Sequence, residues 1–118
     1  MNDKGDNRLR VLFVCARNKW RSPTAERHYR NDARFDVRSA GLSDRAPRTL
    51  SMRDLDWAEV VCVMEPEHKK RIVQEFGREF SKGQIRILDI PDEYRFMDPE
   101  LIELIEVAVE RELGEFFE

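Results

Sequence analysis

One of the two cysteines, Cys15, is followed six residues later by Arg21 and then by Ser22, so that Cys15-Ala16-Arg17-Asn18-Lys19-Trp20-Arg21-Ser22 fits the pattern C-x5-R-S. At a given cysteine this arrangement arises by chance in about one case in a hundred at ordinary residue frequencies. The residue types suit one chemistry. A loop of this length can curl so that successive backbone N–H groups face a tetrahedral oxyanion, and a helix that begins beneath the anion adds its partial positive charge. The fork of Arg21 matches two phosphate oxygens better than a lysine would. A thiol at the base of such a cage is favoured as thiolate and becomes a nucleophile for in-line attack on phosphorus. The phosphocysteine so formed would be hydrolysed by water without a metal or other cofactor, and Ser22 can hydrogen-bond the sulfur as it leaves. The competing reading is a structural cysteine beside a solvated basic turn.

Such a loop needs a strand to deliver Cys15 and a helix to receive Arg21. The run Arg8 to Val14, with Val11-Leu12-Phe13-Val14 at its centre, reads as a strand buried on both faces. Ser22-Pro23 reads as a helix start, serine as cap and proline at the first position, with the helix continuing to about Asp32. Phe35 to Ser39 is a second strand, closed by Ala40-Gly41, where glycine is expected to accept unusual backbone angles. One or two helical turns follow over Thr49 to Trp57, and the apolar, β-branched run Val60 to Met64 is a third strand. Glu65-Pro66 opens a helix that stops near Gly77, and Ile85 to Leu88 is the last strand. After a loop from Asp89 to Met97, Asp98-Pro99 begins a final helix whose Leu101, Leu104, Ile105, Ala108, Val109, Leu113 and Phe116 recur three or four apart. Strand and helix alternate four times, which predicts an α/β layer sandwich around a four-stranded, mainly parallel sheet. Ligands of such sheets bind beyond the carboxyl ends of the strands, so the loops after the first and last strands carry the expected site.

The 118 residues suit one domain, expected to span 8–118 after a disordered polar segment 1–7. The net charge is -3, which supplies no basic excess for a nucleic-acid partner. Neither a signal-like run nor a membrane-length apolar stretch is present, so a cytoplasmic protein with no membrane partner is the default expectation. Two cysteines without Cys/His companions argue against a disulfide framework or a structural zinc. Cys62, inside an apolar strand, reads as a packed small hydrophobe. His28 and His68 read as surface or capping residues and Trp57 as core, while Trp20 either faces substrate or packs under the helix.

Val11-Leu12-Phe13-Val14-Cys15, then Asn18, then Arg21-Ser22-Pro23-Thr24-Ala25-Glu26 resembles the opening of the low-molecular-weight protein tyrosine phosphatases. Ser39-Ala40-Gly41, Ala58 to Met64 and Ile90-Pro91-Asp92-Glu93-Tyr94 resemble that family's next landmarks in order. The resemblance implies a three-layer sandwich with a parallel sheet of order 2-1-3-4. It also implies that Cys15 is the nucleophile, Arg21 the phosphate clamp, Asp92 the general acid and Tyr94 a wall of the substrate cleft, with Asn18 holding the loop in shape. The substrate would be a phosphorylated protein or a small aryl phosphate, with inorganic phosphate as product. Chemistry independently calls for an acid, because a departing phenolate or alkoxide must be protonated. Taken without the resemblance, Asp92 serves equally well as a turn residue after Pro91, and Asp89 and Asp98 are also near. This chain differs from the family at several places, and keeps only Tyr94 of a usual aromatic pair. Trp20 stands where a second loop cysteine is usual, Arg17 where a small residue is usual, and Glu93 replaces a proline. The interval from Gly41 to Ala58 is short, so part of the usual cleft wall is missing. Glu93 is expected to disfavour acidic substrates. Two other functions compete: a phosphate- or phosphopeptide-binding module that lacks turnover, and arsenate reduction, for which Cys62 would be the only further thiol.

Overall fold

A computed structural model describes residues 8–77 and 84–118; the amino-terminal segment 1–7, expected to be disordered, lies outside the described residues. Four strands, β1 (Leu9–Cys15), β2 (Phe35–Gly41), β3 (Val60–Val63) and β4 (Ile85–Ile87), alternate with four helices, α1 (Arg21–Tyr29), α2 (Met52–Trp57), α3 (Pro66–Phe76) and α4 (Pro99–Leu113). A 3₁₀ turn, Gly114–Phe117, follows α4. The described strands form one parallel sheet in the order β2-β1-β3-β4, as expected.

The apolar run of β1 has partners on both faces. Val11, Phe13 and Cys15 pack with Ala25 and Tyr29 of α1 and with Leu101, Ile105, Ala108 and Val109 of α4. Leu12 and Val14 point the other way, into a second cluster with Leu55 of α2, Val61 of β3 and Ile72 of α3. The period-2 alternation of a strand thus splits one sequence run between two cores and gives three layers. With β2 on one side of β1 and β3 on the other, the chain leaving Cys15 emerges where the sheet's connections diverge.

Local chemistry explains most element boundaries. Ser51 caps α2 in a reciprocal capping box with Asp54, and the Asp98 side chain accepts from the Glu100 N–H at the start of α4 with Pro99 in the first turn. Several boundaries differ from expectation, among them the start of α2, at Met52 rather than Thr49. Helix α1 starts at Arg21, so Ser22 lies inside it rather than capping it, and its hydroxyl is turned to Cys15 instead. The same helix stops at Tyr29, short of Asp32, whose carboxylate is engaged by Arg34. Helix α4 ends at Leu113, leaving Phe116 at 43% exposure beneath the Arg86 guanidinium rather than in the core. Trp57 is likewise only half-buried, with Arg38 stacked 4.2 Å from its ring. Among the described residues no helix is long and apolar enough to cross a membrane.

Candidate active site

Cys15 is the last residue of β1 and is 4% exposed. Its carbonyl accepts from the Leu42 N–H at 3.0 Å, and the Ala16 carbonyl accepts from the Ser43 N–H at 2.8 Å, so the chain beyond β2 cradles the start of the loop. Gly41 is needed for space rather than for backbone angles: a Cβ there would lie 2.6 Å from the Ala46 Cβ, 2.9 Å from the Asn18 nitrogen and 3.0 Å from the Arg17 carbonyl carbon. The loop therefore rests directly on the glycine that ends β2. Asn18 adopts the left-handed conformation at φ 53°, which reverses the chain between Arg17 and Lys19. None of the backbone N–H groups of residues 16–22 donates to an acceptor among the described residues, which leaves them for an anion.

The thiol is oriented by a directional chain of hydrogen bonds. The Asn18 amide donates to the Ser22 Oγ and to the Ser39 Oγ, each at 3.0 Å. Ser39 passes its own hydrogen to a Glu26 carboxylate oxygen at 2.5 Å. Ser22, already accepting from Asn18, has one hydrogen to give, with the Cys15 Sγ at 3.0 Å and the Ala40 carbonyl at 3.4 Å within its reach. Glu26 and Ser39 belong to the family-like motifs, but the sequence assigns them no role; they take part because α1 and β2 flank the loop.

Arg21 is held as firmly. Its Nη1 donates to the Glu65 Oε2 at 2.6 Å and to the Ile90 carbonyl at 2.7 Å, and its side chain is 3% exposed. Glu65 ends the connection after β3 and leaves its helix without a side-chain cap, because its carboxylate is turned to Arg21. With Nη1 spoken for, Nε and Nη2 remain for two anion oxygens. Asp92 Oδ1 lies 3.6 Å from the Arg21 Nε, with the Asp92 side chain 57% exposed. Its loop is tied down by the Leu88 N–H on the Val63 carbonyl, the Ile90 N–H on the Met64 carbonyl and the Met97 N–H on the Thr24 hydroxyl. Cys15, Arg21 and Asp92 line one cleft of about 280 Å³ together with Ala16, Arg17, Lys19 and Trp20. Asn18 and Ser22 are buried behind it. Tyr94 stands apart: it packs against the α1/α4 core and donates its hydroxyl to Glu100 at 3.1 Å.

Cys62 is fully buried on β3, and burial pushes its thiol up to about 12, so it behaves as a hydrophobe. His28 sits on the surface 2.8 Å from Glu106. His68 is not a surface residue: it is 6% exposed in the first turn of α3, with Nδ1 buried and without a hydrogen-bond partner among the described residues. Burial lowers its imidazole below the ordinary 6.5, partly opposed by Glu65 and reinforced by Arg21. Unfolded chains take up this proton at a higher pH than the folded chain does, so stability falls as pH drops below about 6.5. The melting temperature is expected to decline between about pH 7 and pH 5, and His68→Leu is expected to flatten that decline. An unchanged pH profile in the variant, measured by thermal denaturation, would refute this.

The parallel sheet of order 2-1-3-4 with its strand–loop–helix site is the architecture of the low-molecular-weight protein tyrosine phosphatases. Among solved structures of this fold, the chain is similar to YwlE arginine phosphatase from Geobacillus stearothermophilus, at 24% identity over 92% of this chain and 96% of that one, with a TM-score of 0.66. It is similar to a low molecular weight protein tyrosine phosphatase from Bacillus subtilis at 23% identity, 91% and 98% coverage and a TM-score of 0.68. The tyrosine phosphatase Wzb from Escherichia coli K30, solved with phosphate, matches at 22% identity, 86% and 94% coverage and a TM-score of 0.66. No protein-family model and no curated protein matches the sequence.

Proposed function

We propose that this protein is a cysteine-dependent phosphomonoesterase acting on aryl phosphates, phosphotyrosine among them, through a phosphocysteine. The observation that carries the reading is the convergence of a hydroxyl-supported thiol, an anchored guanidinium and an exposed carboxylate on one cleft. The Cys15 Sγ attacks phosphorus in line, forming the S–P bond as the P–O bond to the leaving group breaks, and Asp92 delivers its proton to the departing oxygen. Arg21 and the loop N–H groups hold the equatorial oxygens as charge spreads over them. In the second step Asp92 takes a proton from water as the water attacks phosphorus; the S–P bond breaks, and Ser22 receives the thiolate in a hydrogen bond. Inorganic phosphate leaves.

Substrate chemistry is narrowed by the walls. Trp20 offers an indole to an aryl leaving group, whereas Arg17 and Lys19 disfavour the guanidinium of a phosphoarginine. The substrate is therefore a phosphorylated protein or small aryl phosphate. A free thiol nucleophile suits a reducing compartment such as the cytoplasm. The test is hydrolysis of para-nitrophenyl phosphate and phosphotyrosine in chelator. Asp92→Asn is expected to lower kcat/KM, which reports the step in which the leaving group departs, by about 10²–10³ on phosphotyrosine, within the usual range for a positioned acid, and to lower it less on the better leaving group para-nitrophenolate. Equal losses on both substrates would remove Asp92 from the acid role. Anion binding that Arg21→Ala abolishes, with no turnover of either substrate, would instead identify a phosphate-binding module.

A further inference from the structure

The loop carries more positive charge than a phosphate needs. Three cations line the cleft against one carboxylate, Asp92. Arg21 is already paired with Glu65 and close to Asp92. Arg17 and Lys19 make no ion pair among the described residues, and the Lys19 Nζ rests 4.7 Å from the Trp20 ring centroid. Both are launched from fixed backbone. The Ala16 carbonyl is tied to Ser43, the Arg17 carbonyl carbon lies against Gly41, and Asn18 between the two cations is locked by two serines. Glu93, which sequence alone sets against acidic substrates, is exposed but does not line the cleft.

We propose that Arg17 and Lys19 form a second anion subsite at the cleft mouth, selecting phosphotyrosine substrates that bear a further negative group, carboxylate or phosphate, beside the scissile phosphate. This rests on the phosphomonoesterase reading and goes beyond it by naming what the leaving group must carry. The phosphate dianion is matched by Arg21 and the loop N–H groups, so the two remaining cations act on whatever the phosphate is attached to. Charges held at a partly enclosed mouth are screened less than on open surface, and their effect fades as the Debye length shrinks.

The test measures binding of three phosphotyrosine peptides of equal length to the Cys15→Ser protein by fluorescence anisotropy. One peptide carries flanking glutamates, one carries glutamines at those positions and one carries a second phosphorylated residue there. Both anionic peptides are expected to bind about tenfold more tightly than the glutamine peptide in ~50 mM salt, with the gap closing towards twofold in ~0.5 M salt. The same gap closes when Arg17→Gln and Lys19→Gln are added. Whichever anionic peptide leads identifies the preferred group. Equal binding of all three peptides overturns the subsite and leaves the phosphatase reading standing. A preference that survives the double substitution overturns its assignment to Arg17 and Lys19. If no peptide binds but inorganic phosphate does, the phosphopeptide subsite fails while the anion cage stands; if phosphate does not bind either, the phosphomonoesterase reading fails with it.

Discussion

Replacing Cys15 by serine is expected to lower kcat/KM on para-nitrophenyl phosphate by a factor on the order of 10⁴ or more, while phosphate binding changes only a few-fold. The large loss follows from the nucleophile's surroundings. The polar partner of the Cys15 sulfur is the Ser22 hydroxyl, itself fed by Asn18. That arrangement offers the sulfur a hydrogen bond but contains no base able to take a proton from a serine hydroxyl, so Cys15→Ser leaves an unionised nucleophile. Binding survives because Arg21 and the loop N–H groups are untouched. Steady-state kinetics beside calorimetric titration with phosphate separates the two effects; residual turnover within tenfold of the original would contradict the role.

The second large effect is expected at Arg21. Arg21→Ala removes the fork that faces the anion and strands two partners, the Glu65 carboxylate and the buried Ile90 carbonyl. We expect kcat/KM to fall by about 10³ and vanadate affinity by about 10²–10³, the scale of losing a charge-assisted, transition-state-facing donor. A cost in folding stability of about 1–2 kcal/mol should accompany it, because one acceptor is left unpaired in the interior. Arg21→Lys should not restore turnover: a single ammonium cannot hold Glu65, Ile90 and two phosphate oxygens in one plane. Full activity in the lysine variant would show that the planar fork is not what the site uses.

The parts of this molecule that were legible in the sequence are those where local pattern and tertiary role coincide. Val11 to Val14 had to be buried on both faces, and helices cover both faces of the sheet there. The C-x5-R-S spacing between a strand and a helix required a loop at the strand's carboxyl end, and the chain at 15–22 occupies that place. Ser22-Pro23 misled for a physical reason: serine before proline is a favoured cap, yet here the hydroxyl makes its bonds to Cys15 and Asn18 and the helix begins one residue earlier. Gly41 was read for its conformational freedom when its role is to let the loop backbone pass. The roles of Glu65 and Glu26 were not legible, because each meets its partner only after α1, β2 and β3 have packed. His68 failed in the opposite direction, since a helical histidine among charged neighbours reads as surface until the packing of α3 buries it. Pairings between distant residues need the fold; the residues that terminate strands and line one loop do not.

The claim on which the account turns is that phosphorus becomes bonded to Cys15, and it can be observed directly. In the proposed mechanism Asp92 also activates water in the second step, so Asp92→Asn should slow hydrolysis of the intermediate while para-nitrophenolate still departs. Mixing this variant with para-nitrophenyl phosphate, quenching in acid within the first turnovers and weighing the intact protein should show the mass of one added phosphoryl group. That increment should be absent when Cys15→Ala is added. Nitrophenolate release by Asp92→Asn without any phosphorylated protein at any quench time, or a phosphoryl group that persists in the Cys15→Ala background, would contradict the mechanism.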